Sequence, residues 1–505
     1  MKTTTLLFII LSFSLFAETV TYEKFGAKGD GKSDDRAAIV AAHNYANRIG
    51  ASVRAKDGAT YFIGKGAQTA IVKTSVDFGK AKFIIDDVDI PEINSPLFSV
   101  EADRKPFAIT NVHSLSRDQS SIGITLPDDC LIHVQNNKIK RYIRLGPNQN
   151  SGKPQQETIV IDKKGNIDRR AQLIWDYPAI TKMTAYPIDK NKLTLRGGHF
   201  TTIANQRESK YTYHSRGIVI SRSNVAISGL THEIIGELDH GAPYDAFVCI
   251  KFAVNVTVSD CILTGHKTYM TTGAANTPVP MGSYDLSAYN SINIRFVNCR
   301  QTNDINDRKY WGIFASNYCK NLLFEKCSLS RFDAHMGVCN ATIRNCELGY
   351  MGIHAIGSGT FTIENSTVYA NEFLQLRPDY GSTWDGEFIV RNCSFVPGNA
   401  SGKTRGYLIT GRNNGMHNFG YECTMPRRIV FDGVKIDDSA CAPGKPGPFI
   451  FGNFNHHKCD ESYQEKFPYR ITEEVILKNV TAKSGKQVAI CPNPFMFKDI
   501  KIIRQ

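Results

Sequence analysis

Four segments of the chain share a short pattern, in which a tyrosine or histidine stands two residues before a small residue that leads into an apolar strand. The segments are YDAFV at Tyr244, YWGIF at Tyr310, HMGVC at His335 and YMGIH at Tyr350. Neutral histidine can act as a general base near pH 7, and tyrosine can join in proton transfer when adjacent cations lower its pKa. These residue types indicate proton-transfer chemistry, provided that the fold brings the four segments together.

Cations, a carboxylate and aromatic rings surround these segments. The flanking residues are Arg308, Lys309, Trp311, Asp333 and His354, and the segment LQLRPDYGSTWDG adds Arg377, Tyr380 and Trp384. Guanidinium and ammonium groups bind carboxylate or sulfate, and aromatic rings present flat faces on which sugars can stack. We therefore predict that all these residues line one strip that binds an acidic carbohydrate. A weaker group, residues 211–217 with Asp239 and His240, is expected near the same groove.

The chain from Asn224 onward repeats a short strand that ends in a polar residue followed by Cys, Ser or Gly. Successive copies place the same position at Cys261, Cys299, Cys327, Cys346, Ser366 and Cys393. Short strands at coil-length intervals are typical of a parallel β-solenoid, in which like residues lie about 4.8 Å apart. We expect the cysteines to form a buried row of unpaired thiols. Aligning the coils on this row places His335 between Tyr310 and Tyr350 on one outer face.

The N-terminal part of the chain joins a glycine-rich turn to an alanine-rich helix. It reads FGAKGDGKSDDRAAIVAAHNYANRIGASVRAKDGATYFI over residues 25–63, and Asp34 or Asp35 is expected to cap the helix. This segment resembles the start of secreted right-handed β-helix proteins of the pectate-lyase superfamily. The resemblance implies an all-β fold, a single-stranded right-handed parallel β-helix with an N-terminal capping helix. We interpret Asp34 and Asp35 as capping residues rather than as a catalytic pair.

The domain organisation follows from this fold. Residues 1–17, in which Lys2 precedes an apolar run that ends at Ala17, are predicted to be a signal peptide, so the protein is expected to be secreted or periplasmic. Residues 18–505 are predicted to form a single β-helix domain. Its parts are the N-terminal cap region 18–75, a candidate inserted β-region at about 128–195, regular coils at about 215–482, and C-terminal coil loops to 505. No run of about 18 apolar residues follows, so no transmembrane segment is predicted.

The charge of the chain suggests what it binds. Lys and Arg number 60 against 48 Asp and Glu, which gives a net charge of +12 and favours an acidic partner. An exported protein rarely meets nucleic acid, so no nucleic-acid partner is expected and an anionic polysaccharide becomes the predicted substrate. Charged residues at 21% and hydrophobic residues at 42% exclude a disordered chain.

The central run of the chain supplies a second resemblance. The segments DRKYWGIF, SRFDAHMGV, GYMGIHAIG and LRPDYGSTWDG resemble those of β-helix lyases that act on chondroitin or dermatan sulfate or hyaluronan. The resemblance implies a polysaccharide lyase that cleaves a glycosaminoglycan by β-elimination. In this interpretation Arg377 or Lys309 neutralises the uronate carboxylate. His335 is the base and Tyr310 or Tyr350 the acid, or the roles are exchanged.

Two alternatives remain open at this stage. A glycoside hydrolase on the same scaffold needs two carboxyl groups on one groove, and Asp304, Asp307, Asp333 and Asp379 are the candidates. A non-catalytic carbohydrate-binding solenoid needs stacking aromatics but no cluster of His, Tyr and Arg. No cofactor is required by the sequence, although Asp304 and Asp307 could hold Ca²⁺ through oxygen ligands. The oligomeric state is not predicted.

Overall fold

The computed structural model describes residues 19–398, 405–441, 446–456, 460–463 and 470–505. The predicted signal peptide, residues 1–17, lies outside the described residues. Over most of the chain each coil adds strands to three parallel stacks, named here sheets 1, 2 and 3. One coil shows the order: Leu286–Tyr289 belongs to sheet 3, Ile292–Val297 to sheet 1 and Arg300–Gln301 to sheet 2.

The strands of each sheet are as follows. Sheet 1 contains Thr19–Thr21, Ser52–Arg54, Val225–Ser228, Val254–Ser259, Ile292–Val297, Gly357–Glu364, Trp384–Arg391, Arg428–Asp432, Glu474–Lys478 and Lys501–Arg504. Sheet 2 contains Asp30–Asp34, Thr60–Ile63, Thr231–Ile235, Ile262–Leu263, Arg300–Gln301, Thr367–Val368, Ser394–Phe395, Lys435–Ile436 and Thr481–Ala482. Sheet 3 contains Ala70–Val72, Phe98–Glu101, Ile218–Ser221, Val248–Lys251, Leu286–Tyr289, Glu372–Leu376, Tyr407–Thr410 and Phe449–Phe451. Longer strands that bend from one sheet into the next are Val76–Asp86, Leu193–Ile203, Phe314–Glu325, Ser328–Arg344 and Glu347–Ala355.

The turn between sheets 1 and 2 carries the cysteine row. The residues that follow the cysteines pair in register along the stack, as Ile262 with Arg300 and Arg300 with Ser328. The backbone N–H of Cys327 donates to Cys346 Sγ at 3.3 Å, and that of Cys346 donates to Ser366 Oγ at 3.0 Å. The thiols of this row are free and buried. The predicted buried row is confirmed.

A second ladder stands where the chain enters sheet 1. It consists of Asn224, Asn255, Asn293, Asn321 and Asn340, which all adopt left-handed φ values between 57° and 60°. Asparagine tolerates this conformation better than most residues. From Asn255 onward each carboxamide N–H donates to the Oδ1 of the asparagine in the preceding coil, at 2.9–3.2 Å, and the carboxamide of Asn224 donates to the Asp189 carbonyl. The ladder fixes the register of successive coils.

A helix closes the N-terminal end of the solenoid, as predicted. It spans Arg36–Ile49 and buries Ile39, Ala42 and Ala46 in the core of the first coil. The carboxylate of Asp34 accepts from the N–H of Arg36 at 3.0 Å, while Asp35 accepts from the glycine-rich turn before the helix. Both aspartates therefore hold this end of the fold together. The short 3₁₀ helices are Tyr22–Phe25, Arg169–Ala171, Pro378–Tyr380 and Asp438–Ala440. Within the described ranges, none of the helices is long and apolar enough to cross a membrane.

Residues 102–192, named here the insert, leave the solenoid after sheet 3 and return at Leu193. The insert forms an antiparallel sheet from Phe107–Ala108, Cys130–Arg141, Lys153–Ile161 and Lys182–Pro187. Its sheet thus includes a strand that lies before the expected start at about 128. It has its own apolar core and docks on the coils through a stacked pair, Tyr186 and Phe252, with ring centroids 4.8 Å apart. A separate hairpin, Met270–Thr272 with Pro278–Pro280, stands in a loop before sheet 3.

The fold prediction is confirmed, because the described chain is mostly β-strand, contains one α-helix and forms one large parallel sheet stack. Alternating residues of the strands point into one continuous apolar core. The loops before sheet 3 and the insert both project over the outer face of that sheet, and they determine where a ligand can lie.

Candidate functional site

A cleft of about 630 Å³ lies over the outer face of sheet 3. Asp333 pairs with His354, and His354 pairs with Gln375, so these three side chains form a row across neighbouring coils. His335 and Arg377 stand beside the row and also line the cleft. The inward neighbours Phe332 and Ile353 are completely buried in the core. The floor of the cleft is therefore a rigid part of the solenoid.

The walls of the cleft come from elsewhere in the chain. One wall is the tip of the insert, with Arg144, Leu145, Pro147 and Asn148. A second wall is aromatic and contains Tyr211, Tyr213, Tyr284 and Trp311. The insert is tied to both the coils and the aromatic wall, because the backbone N–H of Leu145 donates to the Asp379 carbonyl at 2.9 Å and Asn148 donates to the Tyr211 hydroxyl at 2.9 Å.

Five charged side chains form a continuous ionic chain along the cleft. Asp333 lies between two guanidinium groups, 2.8 Å from Arg331 and 2.6 Å from Arg377. Asp379 lies 2.9 Å from Arg377 and 2.8 Å from Arg144 of the insert. Three arginines against two aspartates leave one uncompensated positive charge. A cleft of this composition suits an anionic group.

Both aspartates are held in the ionised state. Burial opposes the charge of Asp333, but Arg331 and Arg377 outweigh it and hold the pKa of its carboxyl well below the usual range. For Asp379 burial again opposes the charge, while Arg377 and Arg144 lower the pKa to about 2. The same two carboxylates raise the pKa of Arg377 despite its burial. The ionic chain is therefore fully charged at neutral pH.

The two histidines of the cleft are neutral. Burial, together with the charge of Arg377, lowers the pKa of His335 to about 3. Burial and the charge of Arg331 likewise lower the pKa of His354 to about 3. His335 Nδ1 lies 3.0 Å from Asn317 Oδ1, an atom that only accepts, so Nδ1 carries the proton and Nε2 keeps its lone pair. His354 Nδ1 accepts from Arg331 at 3.1 Å, so its proton is on Nε2. The cleft thus offers one imidazole acceptor and one imidazole donor.

The structure brings together only part of the predicted strip. The predicted residues that line the cleft are Trp311, Asp333, His335, His354 and Arg377. Residues Tyr211 and Tyr213, from the weaker upstream group, line it as well. Asp239 and His240 are exposed and lie outside the cleft lining.

The expected register of His335 is wrong. The alignment places Gly337 opposite Gly352, whereas the strands pair Arg331 with Gly352 and Met336 with Asn317. Irregularities at Ser316/Asn317 and between Leu329 and Arg331 shift the coils, so aligning the segments on their shared glycine fails. His335 lies past the corner of sheet 3 instead of between two tyrosines.

Tyr310 and Tyr350, the predicted proton donors, do not line the cleft. They contact each other, because the Tyr350 hydroxyl donates to the Tyr310 carbonyl. Arg308 lies 5.9 Å above the Tyr350 ring, and both Arg308 and Lys309 are exposed outside the cleft lining. The two tyrosines and these two cations form a neighbouring surface on the loop before sheet 3.

Three predicted aromatic contacts are structural instead. Trp384 is completely buried, donates from Nε1 to the Gly359 carbonyl at 2.9 Å and packs on Phe361. Tyr244 is buried, and its hydroxyl accepts from the Asn205 backbone at 2.9 Å. Tyr380 is also buried, against the insert at Tyr142. Their burial makes all three unsuitable for stacking on a substrate.

The predicted Ca²⁺ ligands do not fit a metal site. Asp304 Oδ1 accepts from the N–H of Asn306, and Asp307 Oδ1 accepts from that of Lys309, each at 2.9 Å. Both carboxylates thus hold turns of their own loop. Across the described ranges of the chain, no group of three His, Cys, Asp or Glu side chains could hold a metal ion.

Sequence reasoning missed three important residues of the cleft. Arg331 sits two residues before Asp333, but the mistaken register hid it. Tyr284 lies in a loop without repeat pattern. Arg144 belongs to the insert, far from the repeats in sequence, and no periodic signal could have placed it there.

Comparison with known proteins supports the fold. No protein-family model matches the sequence, and no curated protein matches it. Among solved structures, the tailspike protein gp49 from Pseudomonas phage LKA1 is 14% identical, with a TM-score of 0.54 over 94% of this chain and 82% of that one. The tailspike gp61 of Pseudomonas phage phi297 is 13% identical, with a TM-score of 0.53 over 92% and 80%. The Gp54 tailspike of Acinetobacter baumannii bacteriophage AP22, solved in complex with capsular saccharide, is 12% identical, with a TM-score of 0.50 over 96% and 79%.

Proposed function

We propose that the protein is a polysaccharide lyase that cleaves an anionic, uronic-acid-containing polysaccharide by β-elimination. The observation that carries this proposal is the state of the His335 imidazole. Its imidazole is neutral, its Nδ1 proton is held by Asn317, and its Nε2 lone pair remains available in a cleft that contains three arginines. A base beside cations is the combination that proton abstraction next to a carboxylate requires.

The proposed reaction proceeds without water. His335 Nε2 takes the proton from C5 of the uronate, and negative charge develops on the adjacent carboxylate. Arginine of the ionic chain, Arg377 or Arg144, stabilises that charge. The C4–O4 bond then breaks, the electron pair of the C5–H bond forms the C4=C5 double bond, and the departing O4 receives a proton. The products are an unsaturated uronide and a new chain end.

A tyrosine of the aromatic wall is the best candidate for the acid. Tyr213 and Tyr284 line the cleft, and burial raises the pKa of both phenols above the usual range. A phenol with a raised pKa keeps its proton at neutral pH, so neither tyrosine can serve as the base. We therefore assign His335 as the base. Tyr213 or Tyr284 is the acid, and these two residues replace Tyr310 and Tyr350 in that role.

The ionic chain disfavours a glycoside hydrolase. Hydrolysis requires a protonated carboxylic acid with a raised pKa to assist the leaving group. Asp333 and Asp379 are the carboxylates nearest to the cleft floor, and both have lowered pKa values and two arginine partners each. A carboxylate held in this way cannot supply the proton near pH 7.

We assign the substrate to the anionic polysaccharides, with a glycosaminoglycan such as chondroitin sulfate, dermatan sulfate or hyaluronan as first choice. The net charge of +12 and the cationic cleft support an anionic polymer. The similarity in fold to a tailspike solved with a capsular saccharide is consistent with a polysaccharide ligand. Such a substrate places the working protein outside the cytoplasm, in agreement with the predicted signal peptide.

The test is incubation with a panel of these polymers, following ultraviolet absorbance of the unsaturated uronide and the release of reducing ends together. A lyase raises both signals in parallel. Reducing ends without absorbance would show a hydrolase, and neither signal on any uronate polymer would overturn the proposal. His335→Ala is expected to lose about 10²–10⁴-fold in kcat with little change in melting temperature, while Lys309→Ala, an exposed cation outside the cleft, serves as the control.

A further inference from the structure

A second cavity of about 290 Å³ lies between the insert and the corner that joins sheets 3 and 1. It is separated from the cleft by the segment that follows strand Cys130–Arg141. Arg141 and Tyr142 line the second cavity, whereas Arg144 and Leu145 line the cleft. Gly337 permits the close approach of this segment to the coil, because it adopts φ +83° and a Cβ there would collide with the Tyr142 hydroxyl.

Aromatic rings form the walls of the second cavity. They belong to Tyr142, Trp175, Tyr318 and Tyr421. Trp175 and Tyr421 have ring centroids 6.0 Å apart, and the guanidinium of Arg141 covers the Trp175 ring at 4.6 Å. Concave sites with aromatic walls and a few placed polar groups are the usual form of a small-ligand pocket.

Two buried hydroxyl groups line the second cavity. Ser358 is 9% exposed and Thr424 is 4% exposed. In the part of the chain that the structure describes, the Thr424 hydroxyl oxygen has no hydrogen-bond partner, and the Ser358 hydroxyl has only the weakly bonding Cys339 thiol beside it. A buried hydroxyl left unpaired costs about 1–3 kcal/mol. A ligand with hydroxyl groups of its own would remove this cost, whereas a hydrocarbon would leave it in place.

The cations around the second cavity already have partners, and Arg141 among them donates to Gln155 Oε1 at 2.7 and 2.9 Å and covers the Trp175 ring. Lys320 lies 2.7 Å from Glu157 inside it, and Arg117 and Arg470 lie 3.0 Å and 3.7 Å from Asp385 at its edge. A charged ligand would have to compete with these pairs. The lining contains four cations and three carboxylates, and each of the four cations already has a partner that a charged ligand would have to displace.

We propose that the second cavity binds an uncharged sugar residue. A sugar ring presents flat C–H faces, which suit the aromatic walls, and peripheral hydroxyl groups, which suit Ser358 and Thr424. The site is independent of the proposed elimination, because an uncharged sugar has no uronate carboxylate. It gives the protein a second contact with a polysaccharide, on the other side of the segment that carries Arg144.

Tryptophan fluorescence tests this site directly. The chain has three tryptophans, of which Trp175 lines the second cavity, Trp311 lines the cleft and Trp384 is buried in the core. In Trp311→Phe, titration with the methyl glycosides of galactose, glucose, N-acetylgalactosamine and N-acetylglucosamine is expected to give a saturable change in emission for at least one of them. Ser358→Leu, which fills the cavity, is expected to abolish the change.

A second variant keeps the test decisive if Ser358→Leu does not fold. Thr424→Val removes one hydroxyl at nearly constant volume and is expected to weaken binding about fivefold, the value of one hydrogen bond of about 1 kcal/mol. Thr194→Val, at an exposed position on the solenoid, is the matched control and is expected to bind as the parent does. No saturable change with any of the four glycosides overturns the site, as does unchanged affinity in Thr424→Val. Because lyase activity is measured separately on uronate polymers, failure of one proposal leaves the other intact.

Discussion

The solenoid and the insert contribute to the cleft in different ways. In the solenoid each coil repeats the contacts of the one before it, as the cysteine row and the asparagine ladder show. In the insert each contact occurs once, as in the stack of Tyr186 on Phe252 and the ion pair of Glu157 with Lys320. The solenoid supplies a rigid floor with His335, and the insert supplies one wall with Arg144. Shared contacts make the floor tolerant to substitution, whereas the position of the wall depends on a few residues.

The largest difference between the two regions is expected in the loss of stability when an ion pair is removed. Lys320 and Glu157, at 2% and 3% side-chain exposure, join the insert to the solenoid. Lys320→Met leaves Glu157 buried and unpaired, and we expect a loss of about 3–5 kcal/mol in unfolding free energy. Arg391 and Glu364 form a pair of similar length on the solenoid surface, 3.0 Å apart and 49% and 26% exposed. Arg391→Met is expected to cost less than about 1 kcal/mol. Denaturant unfolding of both variants checks this, and equal losses would contradict it.

A pH-dependent contribution to stability is expected from His266 of the solenoid. Burial opposes the charge of His266, but its contacts with Asp285 at 3.4 Å and Glu237 at 3.7 Å raise the pKa from 6.5 to about 9. Since the folded pKa lies above the unfolded one, this stabilisation is complete below pH 6.5 and is lost as the pH rises through 9. The melting temperature should therefore fall over this interval. His266→Gln should show a smaller fall, and parallel curves for the two proteins would refute the assignment.

The next largest effect is expected on substrate binding, at the wall of the cleft that the insert forms. Arg144→Gln removes the positive charge that the insert brings to the cleft and is expected to raise KM for an anionic polymer about tenfold, equivalent to about 1.4 kcal/mol. It should also weaken the dependence of KM on salt, since fewer charges are screened. Lys309→Gln, exposed outside the cleft, is the matched control. An unchanged KM and salt dependence in Arg144→Gln would remove the insert from substrate binding.

The smallest effect is expected in the cysteine row. Cys346→Ser should cost less than about 1 kcal/mol, because Ser366 already occupies the same position in the next coil and accepts from the Cys346 N–H at 3.0 Å. Thermal unfolding measures it. A loss of several kcal/mol would mean that the repeats are less interchangeable than the ladder implies.

The same contrast explains what the sequence could predict. Periodic features were recovered, because Cys261 and its successors must be spatial neighbours if the chain is a solenoid. Arg377 and Asp333 were predicted on the same face and form an ion pair at 2.6 Å, although they stand two coils apart. His335 was assigned to the wrong register, because the irregularity at Ser316/Asn317 leaves no mark in the residue pattern. Arg144 was missed, because its place in the cleft depends on how the insert folds back onto the coils.

The most direct test of the account is the pH profile of kcat/KM on a uronate polymer that the protein cleaves. A general base must be unprotonated, and burial together with the charge of Arg377 lowers the pKa of His335 to about 3. We therefore expect kcat/KM to stay level from pH 8 down to about 4.5, with His335→Ala about 10²–10⁴-fold lower throughout. A tenfold fall per pH unit below 6.5, or a His335→Ala variant that keeps wild-type kcat/KM, would contradict the assignment of His335 as the base.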